Sequence, residues 1–332
     1  MTVSRSIKIF VPLFSTALCF TAAAQSTAGI TNVPDTSYST ASAYRSIHKA
    51  YPDATAAPEL HSREVKEKKG IVYCTTGERK LVLDAFYPSG KTKQKRIAVM
   101  MIHGGGWRSG SRTQHYPLAQ HLAALGYVCF TPEYRLSTEA LYPAAVHDLK
   151  AALHWIHAKA KKYNIDTNKI VVGGFSAGGQ LAALIGTTNG NEKFEGSDCN
   201  TKYSSRVQAV VDLDGTLSFV HPESGEGDDS KKPSAGTLWF GYSKKENIKV
   251  WEEASPLSYV GPNTVPFLFI NSGVARMHAG RDDFMKVLKE NHIYVDVKTF
   301  ADAPHHFPLF EPWFTPMVNY IDEFLKTVFP TK

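Results

Sequence analysis

From residue 70 onward, short apolar runs rich in β-branched residues alternate with longer stretches of helical periodicity. The apolar runs occupy residues 70–74, 80–87, 96–102, 127–131, 169–173, 207–213, 266–270 and 294–300. Helical periodicity covers residues 116–125, 143–163, 178–186, 280–291 and 312–328. Because strands separated by helices of about 10–20 residues form crossover units, this order predicts an α/β fold with a mostly parallel sheet flanked by helices.

The 332-residue chain begins with two segments that do not follow this alternation. Residues 1–24 combine a basic start, an apolar run and a closing row of alanines, the pattern of a secretory signal peptide. A membrane anchor is the alternative, but the apolar run is short for a bilayer. Residues 25–69 are expected to be a mobile extension or a strap on the domain formed by residues 70–332. We therefore expect a secreted or periplasmic protein without a membrane span once the signal peptide is removed.

A long polar and aromatic stretch separates the sixth apolar run from the seventh. A loop of about 50 residues inside a compact domain is usually functional or contains elements of its own. We predict that residues 216–262 form a cap insertion after the sixth strand, above the carboxyl edge of the sheet, where open α/β sheets bind ligands. Its aromatic residues, among them Trp239 and Trp251, favour a carbohydrate as the substrate.

Charge and cysteine content argue against a nucleic-acid partner and against a cysteine metal site. The formal net charge of +6 falls to about +4 if Arg5 and Lys8 leave with the signal peptide, and no block of basic residues marks a nucleic-acid surface. The remaining cysteines, Cys74, Cys129 and Cys199, allow at most one disulfide and lack the spacing of a metal site. Cys129 lies in an apolar run and is expected to be a buried thiol.

One serine stands where the fifth apolar run meets the helix that follows it. Gly174-Phe-Ser-Ala-Gly178 fits G-x-S-x-G, in which a sharp strand-to-helix turn exposes the serine hydroxyl. Ser176 is therefore the predicted nucleophile, and the N–H of Ala177 is a predicted donor to the oxyanion of a tetrahedral intermediate. An ordinary glycine-rich loop is the alternative.

A glycine triplet in His103-Gly-Gly-Gly-Trp107 follows the third apolar run. Glycines leave backbone N–H groups unobstructed and allow the conformations of an anion-binding turn. Gly105 and Gly106 are predicted to complete the oxyanion hole, and their presence favours the nucleophile interpretation of Ser176.

Taken in chain order, the glycine triplet, Tyr134-Arg-Leu136, the serine motif and a C-terminal histidine resemble α/β-hydrolase esterases and lipases with an HGGG oxyanion motif. The resemblance covers roughly residues 70–330 and implies the α/β-hydrolase fold and acyl transfer without a metal or organic cofactor. More narrowly, residues 276–283 and 303–307 resemble secreted bacterial carbohydrate esterases that act on pectin and acetylated xylan. That resemblance implies an ester-bearing oligo- or polysaccharide as the substrate.

The spacing typical of this family puts the general base at His305, with His306 as a neighbour that touches substrate. The acid of the family commonly follows the strand before the last, but residues 271–276 hold no carboxylate. A histidine that becomes cationic in the transition state needs an orienting carboxylate, and Asp214, at the end of the sixth run, is the predicted replacement. The alternatives are Asp302, Glu223 and Glu226, whereas Asp212 is expected to be structural.

Arg276, His278 and Arg281 occupy the loop where the usual acid is missing. We predict a cationic rim for uronate carboxylates, with Trp107 as a sugar-stacking surface or as a wall of the acyl pocket. A solvated basic helix entry is the alternative for the three cations.

The sequence thus predicts a secreted serine esterase that removes methyl or acetyl esters from plant cell-wall polysaccharide, pectin being favoured. A general small-ester esterase or lipase is one alternative, and a degenerate hydrolase that binds glycans is another. The sequence assigns no oligomeric state.

Overall fold

The computed structural model describes residues 24–330, so residues 1–23 of the predicted signal peptide lie outside the described residues. The strands in this range are β1 (Thr55–Ala56), β2 (Val65–Thr76), β3 (Arg79–Pro88), β4 (Arg96–Ile102), β5 (Val128–Pro132), β6 (Ile165–Phe175), β7 (Ala209–Leu213), β8 (Phe267–Ser272), β9 (Val295–Phe300) and β10 (Phe310–Glu311). The helices are α1 (Thr40–Ile47), α2 (Tyr116–Ala124), α3 (Ala144–Ala158), α4 (Ala160–Tyr163), α5 (Ala177–Thr187), α6 (Glu192–Glu195), α7 (Ala235–Phe240), α8 (Ile248–Glu253), α9 (Arg281–Glu290) and α10 (Phe314–Val328).

Eight strands form one sheet in the order β2-β3-β5-β4-β6-β7-β8-β9. The pairings β2/β3 and β3/β5 are antiparallel, and the remaining pairings are parallel. Helices α1, α2 and α10 pack on one face, whereas α3, α5 and α9 pack on the other. Strands β7 and β8 are buried along their whole length, which explains why they appear as continuous apolar runs. The predicted α/β-hydrolase fold is confirmed.

Several element boundaries differ from the prediction, and two of the differences have a clear structural cause. The first strand of the sheet begins at Val65 rather than residue 70. The prediction missed residues 65–69 because they are mostly polar and exposed, and the strand register shifts between Lys68 and Ile71. Apolar periodicity cannot detect such an edge segment. The single helix predicted for residues 143–163 is two helices, because the backbone of Lys159 leaves the helical region (φ −101°, ψ 7°).

Residues 25–57, called the strap below, cross the loops that follow the carboxyl ends of β4 and β9. The N–H of Ser26 donates to the carbonyl of Gly241 (2.7 Å), and the N–H of Gly110 donates to the carbonyl of Asp35 (3.0 Å). Farther along, α1 buries Ala43 and Ile47, and β1 pairs with β10. The strap is therefore attached to the domain at several points along its length.

The insertion after the sixth strand of the sheet contains α7, α8 and a short 3₁₀ turn at Pro256–Ser258. The indole rings of Trp239 and Trp251 are fully buried, and they pack with Phe219 and Phe240. These aromatic side chains form a core beneath the insertion, so they cannot stack on a sugar. These two tryptophans therefore do not support the expectation of a carbohydrate substrate.

The cysteines follow the predicted scheme. Cys74 in β2 forms a disulfide with Cys199, and Cys129 in β5 is a buried free thiol. Burial raises the pKa of the Cys129 thiol, which keeps it protonated. Among the helices of residues 24–330, none has the length and apolar character needed to cross a bilayer.

Candidate active site

Ser176 lies between β6 and α5 in a backbone conformation that few residues adopt, with φ 57° and ψ −118°. Its N–H donates to the carbonyl of Leu213 on the neighbouring strand (2.8 Å), which holds the turn against the sheet. A Cβ atom at Gly178 would stand 2.1 Å from the carbonyl oxygen of Ile102, so only glycine fits two residues after the serine. The glycine spacing thus brings α5 onto β4 and projects the serine hydroxyl from the carboxyl edge of the sheet.

Three of the predicted residues form a hydrogen-bonded chain. The Oγ of Ser176 stands 2.9 Å from Nε2 of His305, and Nδ1 of His305 stands 2.9 Å from Oδ2 of Asp214. Since a carboxylate only accepts hydrogen bonds, Nδ1 carries the imidazole proton and Nε2 is left to accept from the serine hydroxyl. Asp214 is fully buried, and the His305 side chain is 17% exposed.

The carboxylate of Asp214 is held by the end of β8, the strand next to its own. Ser272 donates its N–H to Oδ1 (2.9 Å) and its hydroxyl to Oδ2 (2.5 Å). The side-chain amide of Asn271 also approaches Oδ1 (3.4 Å), and Arg281 in turn donates to Oδ1 of Asn271 (2.8 Å). The loop that lacks its own carboxylate therefore supplies donors to a carboxylate on the adjacent strand.

The other candidate acids do not contact His305. Asp302 is exposed, Glu223 accepts from the N–H of Gly280 (3.0 Å), and Glu226 accepts from the N–H of Gly236 (3.2 Å). Asp212 is fully buried and accepts from the N–H of Gly215 (2.6 Å), and burial raises its pKa well above the usual range. Its contacts stabilise the turn beside α5, in agreement with the structural role that we predicted.

The glycine turn after β4 stands beside Ser176. Gly106 and Ala177 line the same pocket as the serine, and the N–H of Ala177 belongs to the first turn of α5, where amides have no partner within the helix. His103 is buried behind the turn, where its Nδ1 contacts the carbonyl of Gly104 (2.9 Å) and its ring stacks on Tyr134. Burial lowers the pKa of His103 to about 4, so the ring is neutral and supports the turn.

Gly105 has φ 127°, and a Cβ atom there would stand 1.9 Å from the carbonyl oxygen of Ser109. We expect Gly105→Ala to move the turn and to lower kcat on p-nitrophenyl acetate by about 10²- to 10³-fold, the loss that follows removal of one oxyanion donor. Gly126→Ala is the matched control, since that glycine also has positive φ (108°) but open space around it. Equal activity of the two variants would contradict a role for this turn.

The pocket beside Ser176 has a volume of about 50 Å³. Besides Ser176 and Asp214, it is lined by Gly106, Trp107, Ala177, Thr216, Gly225, Glu226, Arg276 and Met277. Trp107 is only 4% exposed, and its ring stacks on Trp239 at a centroid distance of 4.9 Å. Of the two roles predicted for Trp107, the wall of the pocket fits this burial and the sugar-stacking surface does not.

The three predicted rim cations differ in their surroundings. Arg276 is exposed and lines the pocket, as a rim residue should. Arg281 does not belong to the rim, because its guanidinium is engaged by Asn271 and Asp282. Burial and the charge of Arg281 lower the pKa of His278, which is therefore neutral rather than cationic. The prediction of a three-cation rim is wrong for Arg281 and His278.

His306 lies beside His305, with a ring-centroid distance of 5.6 Å. Burial and the neighbouring His305 lower the pKa of His306 to about 4, so its ring is a neutral polar group at the rim of the site. Among residues 24–330, no group of three or more histidine, cysteine or acidic side chains is arranged to hold a metal ion.

Known proteins share this arrangement of strands and loops. The model of the family described as BD-FAE matches residues 83–276 of the chain. The chain belongs to the BD-FAE family of α/β-hydrolases. The match begins in β3 and ends at Arg276, so it includes the glycine turn, Ser176 and Asp214 but not His305.

Two mycobacterial proteins and two solved structures extend the comparison. "Probable carboxylic ester hydrolase LipM" of Mycobacterium tuberculosis is 28% identical over 205 residues, covering 60% of this chain and 44% of LipM. "Esterase LipC" of the same organism is 31% identical over 203 residues, covering 57% of this chain and 47% of LipC. This BD-FAE chain thus spans about half the length of the curated relatives that it matches.

The two solved structures compared with this chain are of esterases. A truncated carbohydrate esterase from gut microbiota is 22% identical, covers 81% of this chain and 99% of its own, and has a TM-score of 0.67. Esterase 2 of Thermogutta terrifontis is 22% identical, covers 81% of this chain and 96% of its own, and has a TM-score of 0.66. At this identity the likeness establishes the fold.

Sequence reasoning missed several polar residues that support the site of this family member. Gln180 on α5 accepts from the indole N–H of Trp107 (2.8 Å) and donates to the carbonyl of Ala254 (2.8 Å), linking the glycine turn to the cap insertion. The sequence showed that Ser272 and Asn271 are not carboxylates, but it did not predict that they donate hydrogen bonds to Asp214. The usable sequence signal for Gln180 is an amide in the otherwise apolar helical run of residues 178–186, because a buried amide requires partners.

Proposed function

We propose that the protein is a serine ester hydrolase in which Ser176, His305 and Asp214 act as nucleophile, general base and orienting acid. The observation that carries this proposal is the unbroken hydrogen-bonded chain from the Ser176 hydroxyl to the buried Asp214 carboxylate. Geometry of this kind supports acyl transfer, because it presents a deprotonatable hydroxyl to a neutral imidazole of fixed tautomer. It also disfavours a degenerate, glycan-binding hydrolase.

In the first half of the reaction, Nε2 of His305 takes the hydroxyl proton as Oγ of Ser176 attacks the ester carbonyl carbon. The negative oxygen that develops is bound by the N–H groups of Gly105, Gly106 and Ala177. His305, now cationic beside Asp214, gives its proton to the departing alcohol oxygen as the carbon–oxygen bond breaks. Water then attacks the acyl-enzyme with His305 again as the base, which releases the acid and restores Ser176.

The proposed acyl group is short, and acetyl is the favoured one. Sites that enclose whole drug-sized ligands have volumes of about 300–1,000 Å³, whereas the pocket beside Ser176 has about 50 Å³. In a sugar acetate the acyl group is small and the sugar is the departing alcohol. In a uronate methyl ester the sugar is itself the acyl part, which this pocket could not enclose.

A carbohydrate is the proposed alcohol part, in agreement with the carbohydrate esterase of similar fold. The exposed guanidinium of Arg276, without an ion-pair or hydrogen-bond partner among residues 24–330, suits a uronate carboxylate near the ester. Residues 1–24 direct export in this proposal, and the Cys74–Cys199 disulfide supports an oxidising compartment. Pectin bearing acetyl groups meets both requirements, and methyl-ester hydrolysis is the second candidate.

Incubation with a pectin that carries both methyl and acetyl esters, and with acetylated xylan, distinguishes these candidates. We expect acetate to be released in excess over methanol from pectin, and acetate to be released from the xylan. Arg276→Met, which keeps an unbranched apolar side chain but removes the charge, should lower activity on the acidic pectin more than on the nearly neutral xylan. Methanol as the main product would contradict the assignment of the small pocket to an acetyl group.

A further inference from the structure

Tyr38, in the strap, lies at the edge of the catalytic site although it is far from it in sequence. Its Cδ1 would stand 3.3 Å from a Cβ atom built on Gly105, and its ring centroid is 5.9 Å from that of His306. The ring of His306 is in turn next to that of His305. Tyr38 therefore stands between the glycine turn and the pair of histidines.

The phenol of Tyr38 is polar, largely enclosed and free to bind a ligand. Burial raises its pKa, so the hydroxyl stays protonated and can donate a hydrogen bond. Within the part of the chain that the structure describes, no hydrogen-bond partner of this hydroxyl is found. The hydroxyl is not among the fully enclosed side-chain atoms that lack a partner, so it is open to water, which an oxygen of a ligand can replace.

In the proposed reaction, the alcohol part of the ester lies on the side of the site that contains His305, His306 and Tyr38. His305 must give its proton to the departing oxygen, so the alcohol has to lie next to the imidazole. The small pocket, lined by Gly106, Trp107 and Ala177, is available to the acyl group, and Tyr38 is not part of its lining. The alcohol is thus left to the side of the site on which His305, His306 and Tyr38 lie.

The position of Tyr38 is fixed from both directions along the strap. On its amino side, Asp35 accepts from the N–H of Gly110 (3.0 Å), next to the glycine turn. On its carboxyl side, Ser39 begins α1 with reciprocal side-chain hydrogen bonds to Ser42, and Ile47 buries its side chain in the core. A side chain between two such attachments is held in place before the substrate arrives, which lowers the entropy cost of binding.

We propose that Tyr38 is a specificity-determining residue that donates a hydrogen bond to an oxygen of the sugar in the alcohol part of the ester. This inference rests on the proposed esterase function and adds that the strap completes the site. A sugar acetate gains the contact, whereas p-nitrophenyl acetate, whose departing group has no hydroxyl, does not. The strap accordingly favours carbohydrate esters over simple ones.

The test compares Tyr38→Phe with wild type on an acetylated xylo-oligosaccharide and on p-nitrophenyl acetate. We expect kcat/KM to fall about tenfold on the oligosaccharide, the value of one well-made hydrogen bond, and less than twofold on p-nitrophenyl acetate. The ratio of the two kcat/KM values does not depend on the fraction of folded enzyme. Tyr44→Phe is the matched control, because Tyr44 lies on α1 in the same strap and is 40% exposed.

The outcomes separate the two proposals. An unchanged ratio in Tyr38→Phe, with wild type active on both substrates, overturns the role of Tyr38 and leaves the esterase function intact. A ratio that changes equally in Tyr44→Phe also overturns it, because the strap would then act without a contact to the sugar. A wild-type enzyme inactive on both substrates refutes the esterase function itself.

Discussion

Ser176→Ala should lower kcat on p-nitrophenyl acetate by about 10⁶-fold, the loss measured for the serine of a comparable triad. Removal of the hydroxyl takes away the oxygen that stands 2.9 Å from Nε2 of His305 and would form the acyl-enzyme. Alanine leaves the backbone hydrogen bond to Leu213 intact, so we expect the fold to persist. Stopped assays at high enzyme concentration, with background hydrolysis subtracted, measure the residual rate.

Ser46→Ala is the matched control for this substitution. Ser46 is an exposed serine on α1, and its hydroxyl donates to the carbonyl of Ala43. We expect it to retain wild-type kcat and the same far-ultraviolet circular dichroism as the Ser176 variant. A Ser176→Ala enzyme within tenfold of wild type would mean that another group attacks the ester.

Asp214→Asn should lower kcat by about 10⁴-fold, as in a comparable triad in which the acid was replaced by its amide. Asp214 accepts from Ser272 and from Nδ1 of His305, so it fixes the tautomer that leaves Nε2 free for Ser176. An amide has only one acceptor oxygen for these donors, and its NH₂ group must face one of them. The imidazole then turns or takes the wrong tautomer, while Ser176 and the glycine turn remain in place.

The alternative acids are the controls for Asp214. Asp302→Asn and Glu223→Gln should each keep kcat within about threefold of wild type, since neither carboxylate contacts His305 or lines the pocket beside Ser176. The pH dependence of kcat/KM, measured for all three variants, reports the base in the free enzyme. A large loss in Asp302→Asn together with a near-normal Asp214→Asn would reassign the acid.

The site residues that the sequence predicted well are marked by a short motif or by their position at the end of a strand. Ser176 stands in a five-residue motif between a strand and a helix, and its glycine spacing has a direct steric cause at Gly178. Asp214 could be proposed from its position at a strand end, but its contact with His305 depends on the parallel pairing of β7 with β8. That pairing also explains why Ser272 can hold a carboxylate that its own loop lacks.

The wrong predictions about the cap insertion and the rim cations depend on burial and on side-chain pairing. A tryptophan can belong to a core or to a sugar-binding surface, and the sequence alone does not distinguish the two. Trp239 and Trp251 are buried in a core. Arg281 was expected to face the substrate, yet Asn271 and Asp282 engage it. Tyr38 was not predicted at all, because no periodicity or motif links a strap residue to a loop that follows in the chain only after four more strands.

Covalent labelling with diethyl p-nitrophenyl phosphate, followed by peptide mass spectrometry, tests the central claim most directly. An activated serine attacks this phosphate ester and keeps the diethylphosphoryl group, because the product resists the second step. We predict one group per chain, located on the peptide that contains Ser176, and a loss of esterase activity in proportion to labelling. A label on any other residue, or inactivation that leaves Ser176 unmodified, would contradict the assignment of Ser176 as the nucleophile.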